Sequence, residues 1–311
     1  MNKKQFFKTA MLGVCLCFIG VSALSACDLS GFMPNSSVSQ SQSFSSSQVI
    51  SSEESSQTVS SEENSSVESA SSKESSAEDS SVDEGVVVQN GVEYTLSEDG
   101  AYYTVTGYEG TQTQVSIAGE IDGVPVTVVG KKAFYEQRTL TELVIPDSIE
   151  VIESYAFSYC EGLAKLVIPD GVRVVESYAF AHCHGLAYVK IGNGVEELGA
   201  WSFYYAHSLT LVIIGDSVQS IGLGAFQECF NLKDVVLGVG VQSIAGGAFG
   251  WCTSLANVYY TGAPRDWQEV DTGANTELTM AKRYYYIEDE AEVPANGNYW
   301  HYDNNGEITI W

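Results

Sequence analysis

One periodicity constrains this 311-residue chain more than anything else: Phe134, Phe157, Phe180, Phe203, Phe226 and Phe249 follow one another at a constant step of 23 residues. Leu140, Leu163, Leu186, Leu209, Leu232 and Leu255 keep the step, as do Leu143, Leu166, Val189, Val212, Val235 and Val258, and then Ile145, Ile168, Ile191, Ile214, Leu237 and Tyr260. A further apolar pair recurs from Val126 and Val129 in the first copy to Val241 and Ile244 in the last. Six copies without an insertion mean that each follows the same backbone path, as in a stacked repeat solenoid.

Within a copy, Leu163 to Ile168 alternates so that Leu166 and Ile168 share one side, the period of a strand. A turn residue follows at Pro146, Pro169, Gly192, Gly215 and Gly238. The Ser-Tyr-Ala-Phe run and its equivalents then form a short helical or turn segment that lowers Ala and Phe into the core. No coil buries its apolar set alone, so stability comes from stacking.

The pattern Leu-x-x-Val/Leu-x-Ile-Pro/Gly-x-x-Val-x-x-Ile-x-x-x-Ala-Phe-x-x-Cys resembles the BspA-type leucine-rich repeat of bacterial surface proteins. The resemblance spans residues 124–261. It implies short strands joined by short helical or 3-10 turns in 23-residue coils, in an exported or surface-exposed protein that adheres to proteins of a host or neighbouring cell. The shared motif is structural, so the resemblance carries no catalytic residue.

Around the repeats the chain divides into further parts. Lys3, Lys4 and Lys8 followed by an apolar run from Ala10 to Val21 read as a signal peptide over residues 1–26, too short for a comfortable membrane span. Leu24-Ser25-Ala26-Cys27 resembles the bacterial lipobox, which implies that Cys27 takes the lipid and holds the protein on the outer face of a membrane; an ordinary signal peptide cut at Ala26 is the alternative. Residues 27–85 are about two-fifths serine, with clustered acids, and lack the apolar material to order a chain. Such a stalk would span roughly 40 Å as a coil and about 200 Å when stretched. Residues 86–123 read as an N-terminal hairpin cap, from the turn signals Asn90-Gly91 and Asp99-Gly100 between strand-like runs. Residues 262–311 read as a C-terminal cap ending in a hairpin. A sugar-binding module built on Trp267, Trp300 and Trp311 is the alternative.

The formal charge of -26 sets aside nucleic acid as a partner and leaves the lipid anchor as the one membrane contact. No P-loop, Gly-x-Ser-x-Gly or dinucleotide fingerprint occurs, so neither an enzyme nor a cofactor is expected. His182-Cys183-His184 has metal-ligand residue types, but a cysteine pointing inward sends its neighbours outward, and no metal is expected. Cys160, Cys183, Cys229 and Cys252 each stand three residues after a repeat phenylalanine, a slot that Ala206 fills in another copy. A slot that accepts alanine favours a column of small buried thiols over disulfides.

With the recurrent positions committed to packing, binding falls to the variable ones. The positions two before and two after the repeat phenylalanine read Tyr155 and Tyr159, Tyr178 and His182, Trp201 and Tyr205 in three adjacent copies. They form either a ligand-binding aromatic ridge or a cover for the core edge. The outward strand positions, notably Lys165, Tyr188, Lys190, Ile213 and Tyr259, form a second candidate face. Lipid-anchored recognition of a surface protein of unknown identity is the expected function. A structural envelope component and a carbohydrate-binding accessory lipoprotein are the alternatives.

Overall fold

A computed structural model describes residues 85–311, and the expected signal peptide, the lipidation of Cys27 and nearly all of the serine-rich stalk lie outside the described residues. The repeats wind into coils of three sides each, two built of strands and one of turns. The longer strands are Lys165–Ile168, Tyr188–Ile191, Leu211–Ile214, Asp234–Leu237 and Asn257–Tyr260. They pair in parallel, offset by one whole coil, so that Lys165, Tyr188, Leu211, Asp234 and Asn257 lie side by side. Their inward residues, such as Leu166 and Ile168, are fully buried, as a period-two pattern requires. Shorter strands, Val151–Ile152, Val174–Val175, Glu197–Leu198, Ser220–Ile221 and Ser243–Ile244, make the second parallel ladder.

The third side carries the phenylalanines. Their rings stack face to face at centroid distances of 5.0 Å (Phe134 and Phe157), 5.0 Å (Phe157 and Phe180), 5.3 Å (Phe180 and Phe203), 5.1 Å (Phe203 and Phe226) and 5.2 Å (Phe226 and Phe249). Each is fully buried, which contributes about 1.5–3 kcal/mol per ring. The backbone here is a run of linked turns rather than helix. Alternate amides serve different coils: Ala156 and Ser158 donate within their own coil, to Glu153 and Tyr155, while Phe157 and Tyr159 donate to Ala179 and Ala181 of the next. Every amide of this run finds an acceptor, which a buried backbone requires.

Coils approach closely where the chain leaves the long strand. At Gly194 an added Cβ would fall 1.7 Å from the carbonyl oxygen of Asp170, so no side chain fits there. Beside it Asp170, Asn193 and Asp216 form a column in which each Oδ1 accepts the amide of the next coil, at 2.7 Å from Asn193, 3.0 Å from Asp216 and 3.2 Å from Val239.

At the N-terminal end Val86–Gln89, Val92–Leu96 and Tyr103–Tyr108 form an antiparallel meander. It joins the short ladder through parallel pairing of Tyr103–Tyr108 with Val124–Val129, and the Tyr108 ring covers Phe134 at 5.3 Å. Glu142–Val144 pairs with Gln114–Ser116 in a separate two-stranded sheet, so the long ladder proper starts at Lys165.

The C-terminal end is closed by one carbonyl and two side chains acting as substitute backbone. Beyond the last repeat the turn side still needs acceptors, and Ala274 O, Asn275 Oδ1 and Glu277 Oε1 accept from Gly247, Phe249 and Trp251. Asn275 is 2% exposed, and its amide nitrogen donates to the carbonyls of Ala245 and Thr272. Lys282–Tyr286 extends the long ladder by one strand, and the antiparallel hairpin of Tyr299–Tyr302 and Ile308–Ile310 follows.

Candidate functional site

The six aromatic and histidine residues singled out by the repeat all come together on the turn side. Each has φ between 55 and 66°, in the left-handed region that L-residues rarely adopt, because the linked turns reverse at these two positions of every coil. In later coils Gly224 and Gly247 take the first of them, at φ 62 and 70°. The rings form rows along the solenoid. Tyr155 stacks on Tyr178 at 4.9 Å and Tyr178 on Trp201 at 5.2 Å, while Tyr159 stacks on His182 at 4.4 Å and His182 leans on Tyr205 at 5.2 Å. Cations close the N-terminal ends of both rows, Lys132 over Tyr155 and Arg138 over Tyr159.

A third row went unread in the sequence although it keeps the same step, four residues past the phenylalanine. His184 stacks on His207 at 5.0 Å, and His207 lies against Phe230 at 5.1 Å. Burial holds His182 and His207 below the ordinary histidine value; His184 beside both, and His207 beside His182, push the same way, against Glu161 and Glu228. Among the described residues no group of three or more metal-ligating side chains converges. All of these rings are half-buried with their faces against one another, so a ligand stacking on ring faces would have to part them. Among the described residues Trp251, 62% exposed, is the aromatic that turns most of its surface outward.

The four repeat cysteines are free and buried. Each thiol donates to the phenylalanine carbonyl of the preceding coil, Cys160 to Phe134 at 3.2 Å, Cys183 to Phe157 at 3.3 Å, Cys229 to Phe203 at 3.4 Å and Cys252 to Phe226 at 3.2 Å. Burial pushes Cys183 and Cys229 up to about 12, which removes the thiolate that thiol chemistry needs.

The strand face divides in two. Its C-terminal half is covered: the terminal hairpin lays Trp300 over it, fully buried, with its ring 5.5 Å from Tyr259 and its Nε1 donating to the Tyr260 carbonyl at 3.1 Å. Tyr259, expected on an open surface, is therefore 5% exposed, and its hydroxyl is pushed up to about 12 by burial and then by Asp234 and Tyr284. Ile213 is half-buried at the margin of this second apolar cluster, which also holds Val236 and Tyr284. The physical reason is the excess apolar content of these outward positions, which the chain's own tail shields from water.

The N-terminal half is open. Val144 is 52% and Val167 45% exposed, flanking the exposed Lys165, whose ammonium lies 5.2 Å from the centre of the Tyr188 ring. A cleft of about 490 Å³ runs between Glu142–Val144 and Lys165–Ile168, where the two strands are not paired. A second hollow of about 390 Å³ lies where the hairpin meets the open half, and it gathers Tyr188, Lys190 and Ile213 with Tyr302 of the tail. Among the described residues no helix is long and apolar enough to cross a membrane.

The family model for the BspA type leucine rich repeat region matches six copies over residues 127–256. Among solved structures, a leucine-rich-repeat protein of T. pallidum is 30% identical, over 64% of this chain and 86% of that one, with a TM-score of 0.53. One from Eubacterium ventriosum is 18% identical over 73% of this chain and 55% of that one, with a TM-score of 0.52, and shares the fold. No curated protein matches the chain.

Proposed function

From the premise that the chain belongs to the BspA-type leucine-rich-repeat family, with six copies of the repeat, we propose that it is an exported, lipid-anchored surface protein that binds a protein of a host or neighbouring cell. The open half of the strand face is the binding surface. The observation that supports it is the contrast along one side of the solenoid: the tail covers the outward positions from Val236 onward, yet Val167 at the end of the long ladder and Val144 on the neighbouring strand outside that ladder stay exposed. A rigid face with apolar contacts flanked by Lys165 and Lys190 gives a partner desolvable area at little cost in ordering.

Cys27 carries the lipid in this reading, and the serine-rich segment gives the solenoid reach from the membrane. No catalytic step and no cofactor enter.

The test uses the secreted chain as bait against extracellular matrix and cell-surface proteins, beside a Val144→Glu, Val167→Glu double variant. Capture by the parent and loss in the variant, at equal melting temperature, supports the assignment. Equal capture by both, or none by either, removes it. Lipidation is read separately, by incorporation of an alkyne fatty acid that disappears in Cys27→Ala.

A further inference from the structure

The hollow beneath the terminal hairpin adjoins the open strand half but shares no lining residue with the cleft at Val144 and Val167, and its polar groups are arranged for a particular chemistry. Its lining includes the apolar Ile213 and Val236 and the rings of Tyr188 and Tyr302. Asn193 and Asp216, neighbours on adjacent coils, and the exposed Lys190 also line it. A volume of about 390 Å³ is at the small-ligand end of the usual range.

Asn193 and Asp216 are oriented by hydrogen bonds between coils. Asn193 Oδ1 accepts the Asp216 amide at 3.0 Å, which leaves its Nδ2 as a pure donor. Asp216 Oδ1 accepts the Val239 amide at 3.2 Å and the Thr261 hydroxyl at 2.7 Å, which leaves Oδ2 as a pure acceptor. Among the described residues neither free atom has a partner, and Lys190 forms no ion pair. The donor and the acceptor thus sit on adjacent coils, about one strand spacing of roughly 4.8 Å apart, and their orientation is set before any ligand arrives.

The charges narrow the ligand further. An anion in the hollow would meet Asp216 and also Glu307, whose charge reaches Tyr188. A cation would meet Lys190. A hydroxyl both donates and accepts, so neighbouring hydroxyls can serve Asp216 Oδ2 and Asn193 Nδ2 together, while the C–H face of a sugar ring lies on a tyrosine. We propose that this hollow is a saccharide-binding site that takes one neutral pyranose unit, with Asp216 and Asn193 reading adjacent hydroxyls and Tyr188 and Tyr302 flanking the ring. The site shares no hydrogen-bonding residue with the cleft at Val144 and Val167, so it stands or falls apart from protein recognition there.

Two near-isosteric variants test it in the full chain. Asp216→Asn turns the free acceptor into a donor, and Asn193→Asp turns the free donor into an acceptor, while both keep the Oδ1 that holds the next coil. Titration calorimetry and saturation-transfer NMR are run with methyl glycosides of glucose, galactose, mannose and N-acetylglucosamine, and with glycine and leucine as zwitterion probes. Expected is binding of at least one glycoside with saturation transfer to its ring C–H protons, and a loss of roughly tenfold or more in each folded variant. Should Asn193→Asp fail to fold because it adds a carboxylate between Asp170 and Asp216, Asp216→Asn, which removes one, carries the test alone. Binding of the amino acids but of no glycoside, no glycoside binding at all, or glycoside binding that Asp216→Asn leaves unchanged overturns the proposal.

Discussion

Replacing Asn275 by Ala removes a single side chain at the end of the solenoid, and its consequences can be worked through bond by bond. The Asn275 carbonyl oxygen accepts from Phe249 at 3.0 Å, and its nitrogen donates to Ala245 at 2.9 Å and Thr272 at 2.6 Å. No following coil exists to take over, so the Phe249 amide is left buried without a partner, while the Ala245 carbonyl keeps the Ala248 amide at 3.1 Å and loses its second donor. A net bond contributes about 0.5–1.5 kcal/mol and a buried group left unpaired costs about 1–3 kcal/mol, which sums to about 3 kcal/mol after partial relaxation. Because neighbouring coils hold one another only pairwise, the loss stays at the C-terminal end. Amide exchange at Phe249 should therefore accelerate roughly a hundredfold while Phe157 and Phe180 keep their protection. Asn275→Asp sharpens the case: it keeps the acceptor but sets a carboxylate oxygen against two carbonyls. That carboxyl is raised above its unfolded value near 4, so the variant is least stable at neutral pH and recovers as the pH falls toward about 4. An Asn275→Ala chain that loses less than about 0.5 kcal/mol, with Phe249 still protected, refutes the account of the cap.

Further outcomes follow from the interior and the ridge. Cys160, Cys183, Cys229 and Cys252 should resist iodoacetamide in the folded chain and react only in denaturant, as read by mass spectrometry, because burial keeps them protonated. Gly224→Ala should cost more stability than Gly247→Ala. Both have positive φ, worth about 1–2 kcal/mol against an L-residue, but only at 224 does the new Cβ meet the Trp201 indole, at 2.6 Å from Nε1, so only there should tryptophan emission shift. Stability should fall with acid through the histidine range. His182 and His207 have folded values below their unfolded value of 6.5, so their contribution is intact above that pH and is lost as the pH drops below it; His207→Phe should flatten the dependence in urea midpoints from pH 7.5 to about 5.

The repeat exposed most of the fold to a reader of the sequence, because every inward column of residues 23 apart has one environment. Phe157 and Phe180 behave alike, and the buried thiols follow from Ala206 standing in their column. The same columns also held the third ring row, but His184, His207 and Phe230 differ in chemistry and were not recognised as equivalent. Two other features escaped for a physical reason. Tyr259 occupies the same outward column as Lys190, and only the return of the tail over the sheet buries it; that contact links residues some forty apart and leaves no periodic trace. Asn275 lies past the last repeat, where an isolated asparagine in a loop gives no sign that it replaces a missing carbonyl. The positive φ of the ridge residues was hidden too, since tyrosine and tryptophan stand where glycine would have announced a left-handed turn.

The direction of hydrogen bonds on the turn side has a consequence for assembly. There the alternate amides that cross between coils donate forward, as Phe180 does to Ser202, whereas beside the short strands Gly199 donates back to Val175. The solenoid is therefore a polar rod, and on the turn side its front and rear present opposite hydrogen-bonding character. Two like ends cannot satisfy each other, but a front meets a rear as one coil meets the next. Stripped of its ends, such a rod could grow only head to tail, into a filament of indefinite length. Asn275 and the N-terminal meander are what make this molecule finite.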